Sequence, residues 1–478
     1  MGGGLLQLVA HGAQDAYLTG NPQITFWKGL FKRHTNFAME PFRINLTGMP
    51  AWGQKQSATL GRHADLAYST YLSIVLPRTT ATGALIQWNN EQGRLGYNLL
   101  DYVEIEVGGQ LIDRLYSEWL YLWDTLTSDY NTSFNLNLTV SGGLTTSGYA
   151  TFPASTSCST NAPTGRQSHP NLVHVPLPFF YTKNPGAALP LIALQYHEVK
   201  INVNWNKSQF VGHVGNAAPD NISGLVAPPA PTSVALYVDY IYLDVDERRR
   251  MAQESHEYLI EQVQFNEDKG VSAASNRIDL TFNHPVKELV WVVQPERFTN
   301  CKIDQPRVGG TVNATVGAPR PSQSRLSPFT YTYLNQSGVS AHTQPIFEQW
   351  LQINGQDRMD RRFGDYFNEV QLLQHHTGTM KPFGFSATEH LGRAGSSAAV
   401  PLYHQAIYSY SFALKPEEHQ PSGTCNFSRI DTATIVMSMS GDYIIDEATD
   451  NNWNVRVYAT NYNVLRIMSG MCGLAYSN

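Results

Sequence analysis

The stretch Val103-Glu104-Ile105-Glu106-Val107-Gly108-Gly109-Gln110-Leu111-Ile112-Asp113-Arg114 alternates apolar and polar residues on either side of a Gly-Gly pair. A period of two sends alternate side chains to opposite faces, and glycine supplies the positive φ angles of a two-residue turn, so this predicts a β-hairpin. The pattern returns at Trp350-Leu351-Gln352-Ile353-Asn354-Gly355-Gln356-Asp357-Arg358, where the turn is Asn-Gly. Ile105-Glu106-Val107-Gly108-Gly109-Gln110 aligns with Leu351-Gln352-Ile353-Asn354-Gly355-Gln356 without a gap. One hairpin constrains little, but two copies, one in each half, predict a duplicated β domain.

Other segments support that expectation. Tyr71-Leu72-Ser73-Ile74-Val75-Leu76-Pro77 predicts a strand ended by proline. Val173–Leu177, Val199–Trp205 and Val234–Leu243 predict further strands, and Val455–Leu465 repeats in the second half the Val-x-Leu/Val-Tyr pattern of Val234–Tyr237. A helix is expected from Ser117 through Trp119, Leu120, Trp123 and Leu126, and the polar segment after Ser128 is expected to be a surface loop. At 478 residues the chain is long enough for two β domains with cores of their own. Many short strands bounded by turn signals indicate sandwiches of the jelly-roll kind. The expected partition is an arm at 1–24, a first domain at 25–244, a linker at 245–257 and a second domain at 258–478. Arg248-Arg249-Arg250 lies in that linker among Asp244, Asp246, Glu247 and Glu254, which favours a solvated or salt-bridged connector over a nucleic-acid patch. Arg361-Arg362, beside Asp360 and Asp365, is read the same way.

Charged residues make up only 15% of the chain, against roughly 25% in an average soluble domain. The polar surface is therefore built from Ser, Thr, Asn, Gln and Gly, which suits contact formation. A formal net charge of -6 argues against a large basic face and direct contact with nucleic acid. Cys158, Cys301, Cys425 and Cys472 are scattered without metal-type spacing, so a reducing compartment is expected and a disulfide framework is not. The opening Met1-Gly2-Gly3-Gly4-Leu5-Leu6 has neither the basic start and long apolar core of a signal peptide nor the Ser/Thr of a myristoylation site, and no apolar run approaches a bilayer span. Together these predict a soluble chain made in the cytoplasm.

Chemistry-bearing motifs are sparse. The sequence has no Gly-Lys dipeptide for a phosphate-binding loop and no Gly-x-Ser-x-Gly elbow. His197-Glu198 and His256-Glu257 begin like zinc-protease helices, but Ile201 and Ile260 stand where the second histidine belongs. His375-His376, expected in a loop, has no third ligand nearby in sequence. No catalytic residue, metal or cofactor is assigned.

The N-terminal residues 5–18 show no clean period and predict an irregular arm. Asn21-Pro22 then suggests the cap and first turn of a short helix, with Phe26/Leu30 and Trp27/Phe31 four residues apart. That helix either caps a β core or docks the arm onto a neighbouring subunit.

Gly4-Leu5-Leu6-Gln7-Leu8-Val9-Ala10, Tyr17-Leu18-Thr19-Gly20-Asn21-Pro22-Gln23-Ile24-Thr25-Phe26 and Arg33-His34-Thr35-Asn36-Phe37-Ala38 carry a resemblance. So do Ala188-Leu189-Pro190-Leu191-Ile192-Ala193-Leu194-Gln195-Tyr196-His197-Glu198-Val199-Lys200, His256-Glu257-Tyr258-Leu259-Ile260-Glu261-Gln262, Gln420-Pro421-Ser422-Gly423-Thr424-Cys425-Asn426-Phe427-Ser428-Arg429-Ile430 and Asn461-Tyr462-Asn463-Val464-Leu465-Arg466-Ile467-Met468-Ser469-Gly470-Met471. In this order they resemble the major capsid proteins of nucleocytoplasmic large DNA viruses, the phycodnavirus type above all. Trp27-Lys28-Gly29-Leu30, His11 and the stretches near 128–170, 206–233, 303–345 and 374–400 depart from the family pattern.

The resemblance implies an all-β double jelly roll of two consecutive eight-stranded sandwiches, assembled as homotrimeric capsomers of an icosahedral capsid. Its implied partners are copies of itself, neighbouring capsomers, minor capsid proteins and proteins of an internal membrane, in a virion assembled in host cytoplasm. Within that reading Leu5, Leu8, Tyr17, Phe26 and Trp27 are candidate assembly contacts. Of the Asn-x-Ser/Thr sequons, Asn131, Asn137, Asn221, Asn313 and Asn335 lie in expected loops and are candidate glycan sites. The alternatives are a minor capsid or spike paralogue with a glycan-binding jelly roll, and a glycan-processing enzyme on a sandwich scaffold.

Overall fold

The computed structural model describes residues 3–24, 26, 31–90, 93–142, 144, 148–150, 171–214, 226–271, 275–296, 329, 331, 345–378, 406–439 and 453–476. It divides into residues 1–37 and residues 38–478.

In the larger unit the first half contributes eight principal strands: β1 (Phe37–Asn45), β2 (Lys55–Thr59), β3 (Leu66–Val75), β4 (Leu100–Val107), β5 (Gln110–Tyr116), β6 (Leu172–Pro176), β7 (Val199–Trp205) and β8 (Ser233–Leu243). One sheet has the order β1-β8-β3-β6 and the other β2-β7-β4-β5. The second half repeats the plan with β9 (His256–Val271), β10 (Ser275–Asp279), β11 (Pro285–Pro295), β12 (Ile346–Ile353), β13 (Gln356–Asp357), β14 (Ile407–Ser411), β15 (Ala433–Met439) and β16 (Trp453–Met468). Its sheets run β9-β16-β11-β14 and β10-β15-β12-β13. Strand for strand, the second pair of sheets repeats the first. The fold is a double jelly roll.

The alternation seen in the sequence sets the sheet faces. On β7, Val199, Ile201, Val203 and Trp205 are buried, with Ile201 opposite Ile105 and Val203 opposite Val103 on β4. Both predicted hairpins form. Gly108 and Gly109 take φ of 58° and 84° between β4 and β5, and Asn354 and Gly355 take 50° and 74° between β12 and β13. Two left-handed residues in succession match the strand twist across a two-residue turn. The apolar residues of both halves form one continuous cluster. β16 is buried from Trp453 to Asn463, because one face covers its own sandwich and the other meets the first half.

The mixed-charge connector is helical over Val245–Gln253, capped by the Asp244 carboxylate on the Val245 amide, and buries none of its residues. Arg248 pairs with Asp65 at 3.0 Å and Arg250 with Glu254 at 3.1 Å, so this segment is both solvated and salt-bridged.

Three local expectations are corrected. The arm is not irregular over 5–18: Gly3–Val9 and Ala16–Thr19 are α-helical and Ala13–Asp15 is a 3₁₀ turn. Leu5, Leu6, Gln7 and Leu8 are strong helix formers, and the Asp15 carboxylate accepts the Gly12 amide hydrogen at 2.7 Å. Asn21 has φ of 50°, outside the extended conformation of an N-cap, and the described residues after it (22–24, 26 and 31–36) are non-helical. Residues 25 and 27–30 lie outside the described residues. The segment after Ser128 is a helix over Tyr130–Val140 rather than a loop. Asp129 caps it by accepting from the Thr132 amide at 2.8 Å, and Leu136 and Val140, one turn apart, rest on the core.

Candidate functional site

Where the two sandwiches meet, the helix Ser117–Thr127 of the first half presents Glu118 to β16. The Tyr458 hydroxyl donates to Glu118 Oε2 at 2.6 Å and the Tyr331 hydroxyl to Oε1 at 2.9 Å, while an Arg456 Nη lies 2.7 Å from Oε1. Arg456 also donates to Gln294 Oε1. Burial, with the Glu118 charge added, pushes both tyrosine hydroxyls well above their ordinary range. For Arg456 burial disfavours the charge, but Glu118 together with Tyr458, Tyr331 and Glu267 outweighs it and keeps the guanidinium protonated. Trp119 and Phe265 complete the contact, with ring centroids 5.5 and 5.1 Å from Tyr458. A largely buried ion pair, hydrogen-bonded at both carboxylate oxygens and walled by aromatics, makes a rigid joint.

A second cluster lies along β5 and β9. Gln262 donates to the carbonyl of Ile112, and the Val263 amide donates to Asp113 Oδ1 at 3.1 Å. Burial pushes the Asp113 carboxyl up to about 7, against the opposing pull of the Val263 amide. Glu261 bridges Lys183 at 3.1 Å and Lys287 at 2.6 Å. Burial alone would raise Glu261; the two lysines reverse this and hold it below the usual carboxylate range. A cleft of about 250 Å³ opens here, lined by Ile112, Asp113, Arg114, Gln262 and Phe265 among others.

Backbone approach closes the joint at two further places. The Cys472 amide donates to His197 Nδ1 at 3.0 Å, and the Tyr196 amide to the Gly470 carbonyl at 3.0 Å. The Gly378 amide donates to the Leu126 carbonyl at 2.6 Å, an approach that no Cβ at 378 would permit.

The sequence-assigned assembly residues lie elsewhere. In the 1–37 unit, Leu5 (58% exposed), Leu8 (75%), Tyr17 (92%) and Phe26 (100%) all stand in solvent. Trp27 lies outside the described residues. Asn131 and Asn137 fall on the Tyr130–Val140 helix, which corrects their placement in a loop. Asn221, Asn313 and Asn335 lie outside the described residues.

His375 closes the helix Gln371–His375, so the expected loop begins one residue later. His376 is buried, with Nδ1 3.0 Å from Glu417 Oε1 and Nε2 3.2 Å from Ser409 Oγ. Among the described residues no group of three or more His, Cys, Asp or Glu is placed to hold a metal ion. Arg361 and Arg362 lie over the Trp350 and Tyr366 rings at 4.4 and 4.2 Å, so aromatic faces engage the pair assigned to carboxylates. No described helix is long and apolar enough to cross a membrane.

The residues of the joint escaped sequence reasoning. Arg456 interrupts Val455-Arg456-Val457, and Glu118 interrupts an aromatic helix, which are the signals of a buried pair. Nothing local showed that they meet.

Residues 25–244 match the family described as the major capsid protein N-terminus, and residues 247–473 the family described as the large eukaryotic DNA virus major capsid protein. The major capsid protein of Phaeocystis pouchetii virus is 41% identical over a 558-residue alignment covering 100% of both chains. That of Paramecium bursaria Chlorella virus 1 is 38% identical, also with 100% of both chains covered. Among solved structures, the PBCV-1 virus capsid protein superposes with a TM-score of 0.67 at 31% identity, over 95% of this chain and 100% of the other. Two sandwiches of one plan, joined by a buried ion pair and aligned end to end with such relatives, lead to one assignment: the chain belongs to the major capsid proteins of the large eukaryotic DNA viruses.

Proposed function

We propose that the chain is the repeating tile of an icosahedral shell, with three copies closing into a pseudo-hexagonal capsomer. The observation that carries this is the repeated sheet order, β1-β8-β3-β6 with β2-β7-β4-β5 and then β9-β16-β11-β14 with β10-β15-β12-β13. A closed threefold ring of a chain with two like domains presents six like walls, and six walls tile a hexagonal lattice. A trimer of single domains would offer three.

In this reading residues 25–244 and 258–478 are the two wall-forming domains and 245–257 is the strut between them. The arm, residues 1–24, joins neighbouring tiles through Leu5, Leu8 and Tyr17, with Phe26 and Trp27 assigned to the same assembly contacts. The burial of none of its helical residues supports this role. Asn131, Asn137, Asn221, Asn313 and Asn335 are proposed glycan acceptors. Minor capsid proteins and proteins of an internal membrane are the further partners, with no direct contact to nucleic acid and no catalysis. Assembly takes place in host cytoplasm.

Light scattering on a sizing column tests the central claim. A stable species of about three times the 53.3 kDa chain mass supports the capsomer. A monomer at every concentration overturns it.

A further inference from the structure

The joint inside the chain has two sides, and each half of the chain carries a version of both. One side is the outer face of a first sheet: Tyr458 on β16, opposite Val290 on β11. Its counterpart in the first half is Tyr237 on β8, opposite Tyr71 on β3, since Val234-Ala235-Leu236-Tyr237 repeats as Val455-Arg456-Val457-Tyr458. Tyr458 is 1% exposed beneath the first half. Tyr237 is only half-buried and stacks on Tyr71, with ring centroids 5.2 Å apart.

The other side follows each hairpin. Tyr116-Ser117-Glu118-Trp119 leads from β5 into the Ser117–Thr127 helix, and Phe363-Gly364-Asp365-Tyr366 leads from the Arg362–Phe363 strand into the Tyr366–Val370 and Gln371–His375 helical turns. In the first half this element is covered: Glu118 is 9% and Trp119 1% exposed. In the second half Phe363 is 59%, Val370 39% and Leu373 85% exposed, and Asp365 also stands in solvent. Phe347 and Phe363 meet edge to face at 5.4 Å and extend the apolar patch.

Thus the same joint is made once and left half-made twice, with complementary halves at opposite ends of the duplication. From this, and resting on the trimeric reading above, we infer that the Phe363–Leu373 surface of one copy seats on the Tyr71–Tyr237 sheet face of a second copy. The contact repeats the geometry between Glu118 and Tyr458, so the Tyr237 hydroxyl of one copy donates to the Asp365 carboxylate of the next. It is head-to-tail, the kind of contact that builds a ring when its rotation closes. The chemistry is lighter than in the internal joint, because Ala235 replaces the Arg456 of that ion pair. A joint made after folding avoids leaving an unpaired buried arginine in the free chain.

The test uses the full chain carrying Tyr237→Cys and Asp365→Cys together, oxidised and run on a denaturing gel, beside each single variant. The expected result is covalent dimers and trimers from the double variant, loss of these in both single variants, and a 237–365 disulfide in the digest. A companion variant, Leu373→Asp, alters an exposed side chain and is expected to lose the trimer while keeping the wild-type far-ultraviolet circular dichroism, which shows the chain still folded. If the wild type is trimeric but no 237–365 link forms and Leu373→Asp stays trimeric, this surface is wrong and the trimer stands. If the wild type is monomeric throughout, both fail.

Discussion

The Tyr458 hydroxyl, on β16, donates a 2.6 Å hydrogen bond to Glu118, a carboxylate 340 residues earlier. Because Arg456 approaches the other oxygen of that carboxylate at 2.7 Å, Glu118 is the point where the two sandwiches share a charge. A tile under lattice load needs its two halves to move as one body. A desolvated pair supplies that, since rotation of either half would strand a charge in apolar surroundings.

Glu118→Ala should therefore be severe. It leaves Arg456 buried and without its carboxylate, and breaking a buried pair from one side costs about 3–5 kcal/mol. Denaturant titration of the purified chain measures it. A loss below about 1 kcal/mol, the range of exposed pairs, would mean that this ion pair does little to hold the two halves together.

Asp113 gives the joint a pH dependence. Its carboxyl is pushed up to about 7 in the fold from an ordinary value of 3.8, so the folded state holds the proton more tightly. Stability from this group is then fully present below about pH 4 and is lost as pH rises through about 7. Asp113→Asn keeps an oxygen for the Val263 and Arg114 amides but carries no charge. The variant should match the wild type near pH 4 and exceed it at pH 8, in unfolding midpoints taken across that range. Parallel profiles would place the ionisation elsewhere.

The two hairpin glycines separate strain from collision. Gly108 and Gly355 both take left-handed φ, 58° and 74°, so alanine at either incurs about 1–2 kcal/mol. A Cβ at 355 meets open space, whereas one at 108 would lie 2.5 Å from His197 Nδ1, the atom that accepts from the Cys472 amide. Gly108→Ala should cost clearly more than Gly355→Ala in chemical unfolding. Equal losses would show that His197 moves aside freely.

Deletion of residues 1–24 separates folding from assembly. The arm's helices bury none of their residues, so the unfolding midpoint of the remainder should be unchanged. Shell formation, followed by electron microscopy, should be lost. Shells that form as well without the arm would remove its assembly role.

Much of the wall was legible in the chain. The Gly-Gly and Asn-Gly turns, the strands Val199–Trp205 and Ser233–Leu243 and the Ser117–Thr127 helix all follow from local patterns, because a residue's period and turn propensity act within a few positions. The Tyr130–Val140 helix was missed for the converse reason: its apolar residues are interleaved with Asn, Ser and Thr, and the packing that stabilises it, Leu136 and Val140 against the core among the described residues, comes from distant parts of the chain. The exposed arm was legible as apolar but not as helical.

The sequence by itself determined that the chain is β, that it is duplicated, and, through its ordered blocks, to which family it is related. Only the tertiary structure decided which copies of the repeated elements are covered. Glu118 and Asp365 follow like hairpins, yet one is buried against Tyr458 and the other stands in solvent. Periodicity states that a residue has an inner or outer face, and it is the partner brought from hundreds of residues away that decides whether the outer face meets water or protein.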